Sequence, residues 1–315
     1  MPSSDLQAPA GSTPSPASQQ ERAGVRLGFI AAGVVVVCWS GFNIVSRLGG
    51  RSPLTPYDVA ALRFGVSALL LLPLFLPTVG DPALTLPRRL ALACSGGLGY
   101  GLLVYVGFSL APAAHAGVLV NGGIPLFTTL IGWLVFRQHP TRRSWLALVI
   151  AAFGMLMIGR HAFRLGDGSQ VLLGDACFLA GATLWGLFGQ LVRRWQINPR
   201  AVAANTAVCS SLLYLPVYLL WLPKGFAAAT GGQILLQAVY QGVVAGIVAA
   251  TCYSFATLRI GPTRASLMLA LVPPISAVLA VPFLGEALTV ETVLGALLVT
   301  TGAVVGATGG HGVRR

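Results

Sequence analysis

The chain has 315 residues, 55% hydrophobic and 9% charged, with a formal net charge of +12 and a mean hydropathy of +0.79. A soluble domain carries roughly a quarter charged residues, so this composition excludes a self-sufficient water-facing surface and points to an all-α, polytopic membrane bundle. Its arginines punctuate apolar runs instead of forming a stripe, the pattern of topology determinants and not of a nucleic-acid binder.

Residues 1–26 open with Ser, Pro, Ala and Gln and hold no apolar core. They read as a disordered cytoplasmic tail and not as a cleavable signal peptide. Ten apolar spans of roughly 20 residues follow, enough for a hydrocarbon core of about 30 Å. Residues 27–160 give Leu27–Val45, Pro56–Leu76, Leu90–Leu110, Ala114–Phe136 and Ser144–Ile158. Residues 172–307 give Leu173–Leu191, Ala201–Leu222, Ile234–Leu258, Ala265–Leu284 and Val290–Ala307, and 308–315 form a second cytoplasmic tail. Gly, Pro and Arg mark the breaks, among them Gly49–Pro56, Pro140–Arg143, Gly166–Gly168 and Gly261–Pro262. The abundant glycine and proline suit packed membrane helices, where small residues let backbones approach. Five cysteines lie inside apolar segments without CxxC spacing, the placement of buried thiols and not of a metal site.

Of the twenty basic residues, Arg63 lies within a span; fourteen others fall on one side of the ten-span path and five on the other. The basic side is the cytoplasmic one, so both termini are expected inside, in the inner membrane of a bacterium. The two halves echo each other. At an offset of 148, Tyr105 falls on Tyr253, Pro125 on Pro273 and Gly154 on Gly302; at 146, Trp39, Phe42 and Arg47 fall on Trp185, Phe188 and Arg193. Because five spans per half is odd, the two copies must lie inverted, an arrangement suited to alternating access.

Three stretches carry a family resemblance: WSGFNIVSRLG from Trp39, PYDVAALRF from Pro56, and LVPPISAVLAVPFLGEALTVETVLGALLVTTGAVVG from Leu271. With the five-span duplication they resemble the drug/metabolite transporter superfamily, EamA type, over residues 27 to 307. The first copy departs from the pattern, with Arg137–Gln138 where the second has Gly285–Glu286. The resemblance implies a ten-helix bundle moving small metabolites, often as an exporter of amino acids or related compounds and also of drugs; it does not fix the substrate.

The candidate path residues are Trp39, Asn43, Arg63, Tyr105, His115, Asn121, Trp185, Gln190 and Tyr253. Arg63 is a basic side chain deep in a span; such a group faces the bundle interior and needs a partner, either a substrate carboxylate or phosphate or a structural mate such as Asp58. The amide, indole and phenol groups either bind polar substrate atoms or join helices to one another. Pro125, Pro273 and Pro274 sit mid-span, where each removes a backbone donor and bends the helix, a position suited to gating. Glu286 reads as a cap on the tenth span, whose N-terminus attracts a carboxylate, or as a proton-coupling group.

None of the eight acids lies at a span centre, so facilitated export or exchange is expected over tight proton coupling. The partners expected are a small-molecule substrate and the lipid bilayer, with no cofactor, metal or nucleic acid, and with monomer and homodimer both open. The rival readings are a channel for small solutes and, behind it, an integral membrane enzyme; the chain lacks the clustered carboxylates or paired histidines of membrane metalloenzymes.

Overall fold

Ten stretches of helix run back and forth in the structure, a computed structural model that describes residues 16–164, 168–260 and 262–308. The first half comprises α1 (Pro16–Gly50), α2 (Pro56–Phe75), α3 (Leu86–Leu110), α4 (Ala113–Leu134) and α5 (Arg142–Arg164). The second comprises α6 (Gly168–Trp195), α7 (Pro199–Trp221), α8 (Gly231–Ile260), α9 (Pro262–Leu269 and Val272–Leu284) and α10 (Val290–Thr308). Among the described residues, eight of these stretches are long and apolar enough to cross a membrane, and Val290–Gly306 is a shorter apolar helix. The surface is the inverse of a soluble protein's: Leu258 is 85% exposed and Leu69 72%, while Asn205 and Gln241 are fully buried. With no water in the bilayer core, a spanning segment must have its backbone groups satisfied within the protein, as these helices do.

Local chemistry sets the helix starts. Thr55 and Asp58 form a reciprocal capping box at α2, with Pro56 at its first turn, and Thr230 and Gln233 do the same for α8. Asn198 caps α7 ahead of Pro199. One boundary departs from the sequence reading. The chain is already helical from Pro16, so α1 begins well before Leu27, because Gln, Glu, Ala and Arg after a first-turn proline are good helix formers. Residues 1–15, the loop residues 165–167, Gly261 and the tail beyond Thr308 lie outside the described residues.

The packing repeats the internal symmetry. α1 packs on α8 and α9, as α6 packs on α3 and α4, while α2 pairs with α7 and α5 with α10. The α5–α10 seam is glycine on glycine: a Cβ added at Gly154 would stand 2.8 Å from the Gly295 carbonyl oxygen, and one added at Gly295 2.9 Å from that of Gly154. Such close approach replaces the missing hydrophobic drive between helices in lipid.

Backbone irregularities recur at equivalent places. Wide turns of π-helix interrupt α3 at Ala93–Leu98 and α8 at Tyr240–Val248, positions that overlap when shifted by 148, and a third lies in α4 at Gly117–Asn121. Such inserts occur often at functional sites. α4 and α9 are both broken, at Gly122 and at Ala270–Leu271, shortly before Pro125 and the Pro273–Pro274 pair. The Ala270 carbonyl, which Pro274 leaves without a backbone donor, accepts from Thr300 Oγ1 of α10 at 3.0 Å.

Candidate functional site

The centre of the bundle is built around Arg63 on α2. Its Nη1 donates to the Tyr105 hydroxyl at 3.2 Å, and the guanidinium stands 5.7 Å from the Phe42 ring centroid and 6.0 Å from that of Tyr100. Tyr105, buried on α3, donates in turn to Gln241 Oε1 on α8 at 3.0 Å. Gln241 Nε2 donates to Ser46 Oγ at 3.0 Å and to Gln237 Oε1 at 3.1 Å, and Gln237 Nε2 donates to the Val45 carbonyl at 2.7 Å. Trp185 of α6 joins this group through Tyr100, with ring centroids 4.5 Å apart. One polar ladder thus links α1, α2, α3 and α8 around a cation bedded on aromatic faces, which attract it through their quadrupoles.

No ion pair among the described residues involves Arg63. The mate that the sequence suggested, Asp58, is occupied elsewhere: its carboxylate caps α2 and accepts from the Tyr218 hydroxyl and the Gly225 N–H. The reason is geometric, since a first-turn acid points at its own helix start and the neighbouring loop.

A second polar group lies where α1, α4 and α9 cross. Asn43 Nδ2 donates to Ser276 Oγ at 2.8 Å and to Asn121 Oδ1 at 3.1 Å. Asn43 Oδ1 and the nearby Ser40 hydroxyl are buried without a protein partner, which marks this crossing as a place for water or a ligand group. Close passage is secured by Gly117, whose ideal Cβ would sit 3.4 Å from Pro273. Trp39 faces Tyr253 with ring centroids 5.9 Å apart.

The remaining candidates stand apart at the two ends. His115 and Asp175 are buried and paired, Nδ1 to Oδ1, at 2.9 Å, bridging α4 and α6. Gln190 Nε2 donates to the Thr128 carbonyl at 2.8 Å and its Oε1 accepts from Gln138 Nε2 at 3.0 Å. Pro125 is exposed, whereas Pro273 is buried at the α4–α9 crossing.

Glu286 does act at a helix start, but not that of the tenth span, where Thr289 caps α10 instead, accepting from Thr292 N–H at 3.2 Å. The Glu286 carboxylate accepts from Arg47 Nε at 2.9 Å, Arg51 Nη2 at 2.8 Å and the N–H of Ala113, first residue of α4, at 2.9 Å. Arg47 also donates to the Phe108 carbonyl at 2.7 Å, and Arg51 to the Leu284 carbonyl. One largely buried carboxylate therefore fastens together the ends of α1, α3, α4 and α9 at the bundle end opposite the arginine-rich one. The left-handed Gly285 turns the chain back so that the next side chain reaches inward rather than along α10.

Sequence reasoning missed Phe42, Tyr100, Ser276, Gln237 and Gln241. The glutamines carried a signal, since Gln233, Gln237 and Gln241 recur every four residues in an otherwise apolar span and so share one face.

The model of the EamA-like transporter family matches residues 26–160 and again residues 172–307. The chain belongs to this family. Its two matched copies coincide with the two five-helix units of the fold. Among curated relatives, a probable amino-acid metabolite efflux pump of Salmonella typhimurium is 27% identical over 303 residues, covering 88% of this chain and 93% of that protein. The uncharacterized transporter YyaM of Bacillus subtilis is 24% identical over 278 residues, 84% of this chain and 87% of the relative. A crystal structure matches with a TM-score of 0.60 at 20% identity, over 91% of this chain and 97% of the other, a likeness of fold. The protein is therefore an EamA-family transporter and a multi-pass membrane protein; family and relatives' names point to transport rather than enzymatic turnover.

Proposed function

We propose that this EamA-family transporter exports a small carboxylate-bearing metabolite of the amino-acid type across the inner membrane of a bacterium, by alternating access, with both termini in the cytoplasm. The observation that carries the reading is Arg63: a permanent cation in mid-bundle, held by a phenol and two aromatic faces and left without a carboxylate. A charge at that depth is costly, and its expected use is to meet the opposite charge of a solute. Tyr100, Trp185 and Phe42 supply apolar area for the rest of the solute, and the open acceptor of Asn43 suits an ammonium group.

The gate follows from the same geometry. The carboxylate of Glu286 closes the outer end, while the breaks before Pro125 and Pro273 let the inner segments of α4 and the two parts of α9 tilt against the fixed remainder. The name of the Salmonella relative, a probable amino-acid metabolite efflux pump, agrees with the direction proposed. The test is an export screen in cells stripped of their own exporters, challenged with toxic amino acids and drugs. Expression of the chain should relieve toxicity of carboxylate-bearing compounds, and Arg63→Gln should abolish that relief at equal membrane abundance. Relief that survives Arg63→Gln undiminished would reject the reading.

A further inference from the structure

The two halves end their fourth and ninth spans in the same way. Gln138 N–H closes back on the Gly132 carbonyl at 2.9 Å, and Glu286 N–H closes back on the Ala280 carbonyl at 3.2 Å, both pairs related by 148 positions. The residue before each is left-handed, Arg137 at φ 53° and Gly285 at φ 63°. A non-glycine residue tolerates that conformation only where its surroundings hold it. Both turns thus throw the following side chain back toward the bundle end. In the second half that side chain is Glu286, which takes Arg47. The repeat mate of Arg47 is Arg193 on α6, and it lines the same cavity as Gln138.

The inner end therefore repeats the outer latch with one change: an amide stands where the carboxylate should be. Among the described residues no acid pairs with Arg193. The cavity there, of about 240 Å³, is lined by Phe136, Gln138, Gln190, Arg193, Arg194 and Gln196, two cations and no anion. Gln138 is itself held by Gln190, so its amide is spent on α6 and not on the arginine. Arg194 lies over the Phe136 ring at 5.4 Å.

We propose that this inner cavity binds the carboxylate or phosphate group of a soluble anion, which supplies to Arg193 the charge that Gln138 lacks. The anion completes the inner latch as Glu286 completes the outer one, so the inner end closes when loaded and stays open when empty. Charge-assisted bonds from arginine to an oxyanion are the strong, oriented kind that such closure needs. The inference rests on the transport reading above and adds to it a second anion site, distinct from Arg63, where solute is first taken up from the cytoplasm.

The test uses the full chain with its five cysteines replaced and a single Gln196→Cys, reconstituted in nanodiscs of phosphatidylcholine. The rate of N-ethylmaleimide labelling is read with sodium phosphate or sodium glutamate as probe against sodium chloride at equal ionic strength. At about ten times Kd, occupancy should slow labelling about tenfold. Arg193→Gln, an exposed position that does not threaten folding, should remove the protection. Gln138→Glu should label slowly without any probe and respond to none, and adding Arg193→Gln to it should restore fast labelling, which separates latch closure from a general effect of negative charge on the thiol. Protection that survives Arg193→Gln would overturn the proposal. So would protection by added phosphatidylglycerol with none from the soluble probes, which would assign the cavity to a lipid headgroup. Arg63→Gln should leave the protection intact while abolishing transport, so a failure of the central site and a failure of this cavity are read separately.

Discussion

Replacing Glu286 by glutamine removes the carboxylate that fastens the ends of α1, α3, α4 and α9 opposite the arginine-rich end, the ends that the proposed topology puts outside. The carboxylate side chain is 8% exposed and that of Arg47 12%, whereas Arg51 is 40% exposed. The Arg47 contact is thus the one sheltered from water, and the Arg51 contact is largely screened. An amide keeps one acceptor oxygen but loses the charge, so the loss is that of a charge-assisted bond, about 2 kcal/mol. If the outer-open state makes none of these contacts, the closed-to-open ratio falls by a factor of about 30. The assay is labelling of Ser276→Cys, a fully buried position at the α4–α9 crossing, by a membrane-impermeant thiol reagent applied from outside, in a background without native cysteines. The Gln variant should label roughly 30 times faster than its parent, provided the open state is the minor one. A rate within twofold of the parent, or slower, would refute the claim that this carboxylate holds the outer end shut.

Two further outcomes concern the bundle itself. Asp175→Ala removes the acceptor that the buried His115 ring meets and should lower folding stability by about 2 kcal/mol, read as a drop in thermal midpoint, while Asp175→Asn, which keeps an acceptor oxygen, recovers part of the loss; equal stability of the Ala variant would show that the pair does not hold α4 to α6. Gly154→Leu drives a side chain into the Gly295 carbonyl and Val299 of α10 and should cost about 1–3 kcal/mol by overpacking, visible as early unfolding in detergent; an unshifted midpoint would contradict the seam described between α5 and α10.

The spans were legible because the bilayer imposes a length on them, and apolar runs between Gly, Pro and Arg breaks reveal it. The duplication was legible for the same reason, since the order of runs and breaks survives where identities do not. Arg63 stood out because a cation in an apolar run has no cheap explanation. Its surroundings did not, because Phe42, Tyr100 and Gln241 come from three other helices and are joined only by packing. Asp58 was the nearest acid in sequence and turned inward to its own cap, a choice that depends on Thr55 and on the loop at Gly225. Sequence position ties Glu286 to the helix it precedes, while the left-handed Gly285 aims it at the end of α1 and the start of α4. The π-helical turns of α3, α4 and α8 leave no trace in hydropathy, since they shift the register of a helix without changing which residues are apolar.

The central claim, that Arg63 grips the carboxylate of the transported solute, is tested most directly by competition in proteoliposomes. Once the export screen has supplied a transported amino acid, its labelled exchange is measured against unlabelled amino acid and against the matching amino-acid amide, for the parent chain and for Arg63→Gln. The account predicts that the amide competes at least about tenfold more weakly with the parent, a loss of about 1.4 kcal/mol or more, and that Arg63→Gln erases the difference between the two. Equal competition by the amide in the parent chain would contradict it.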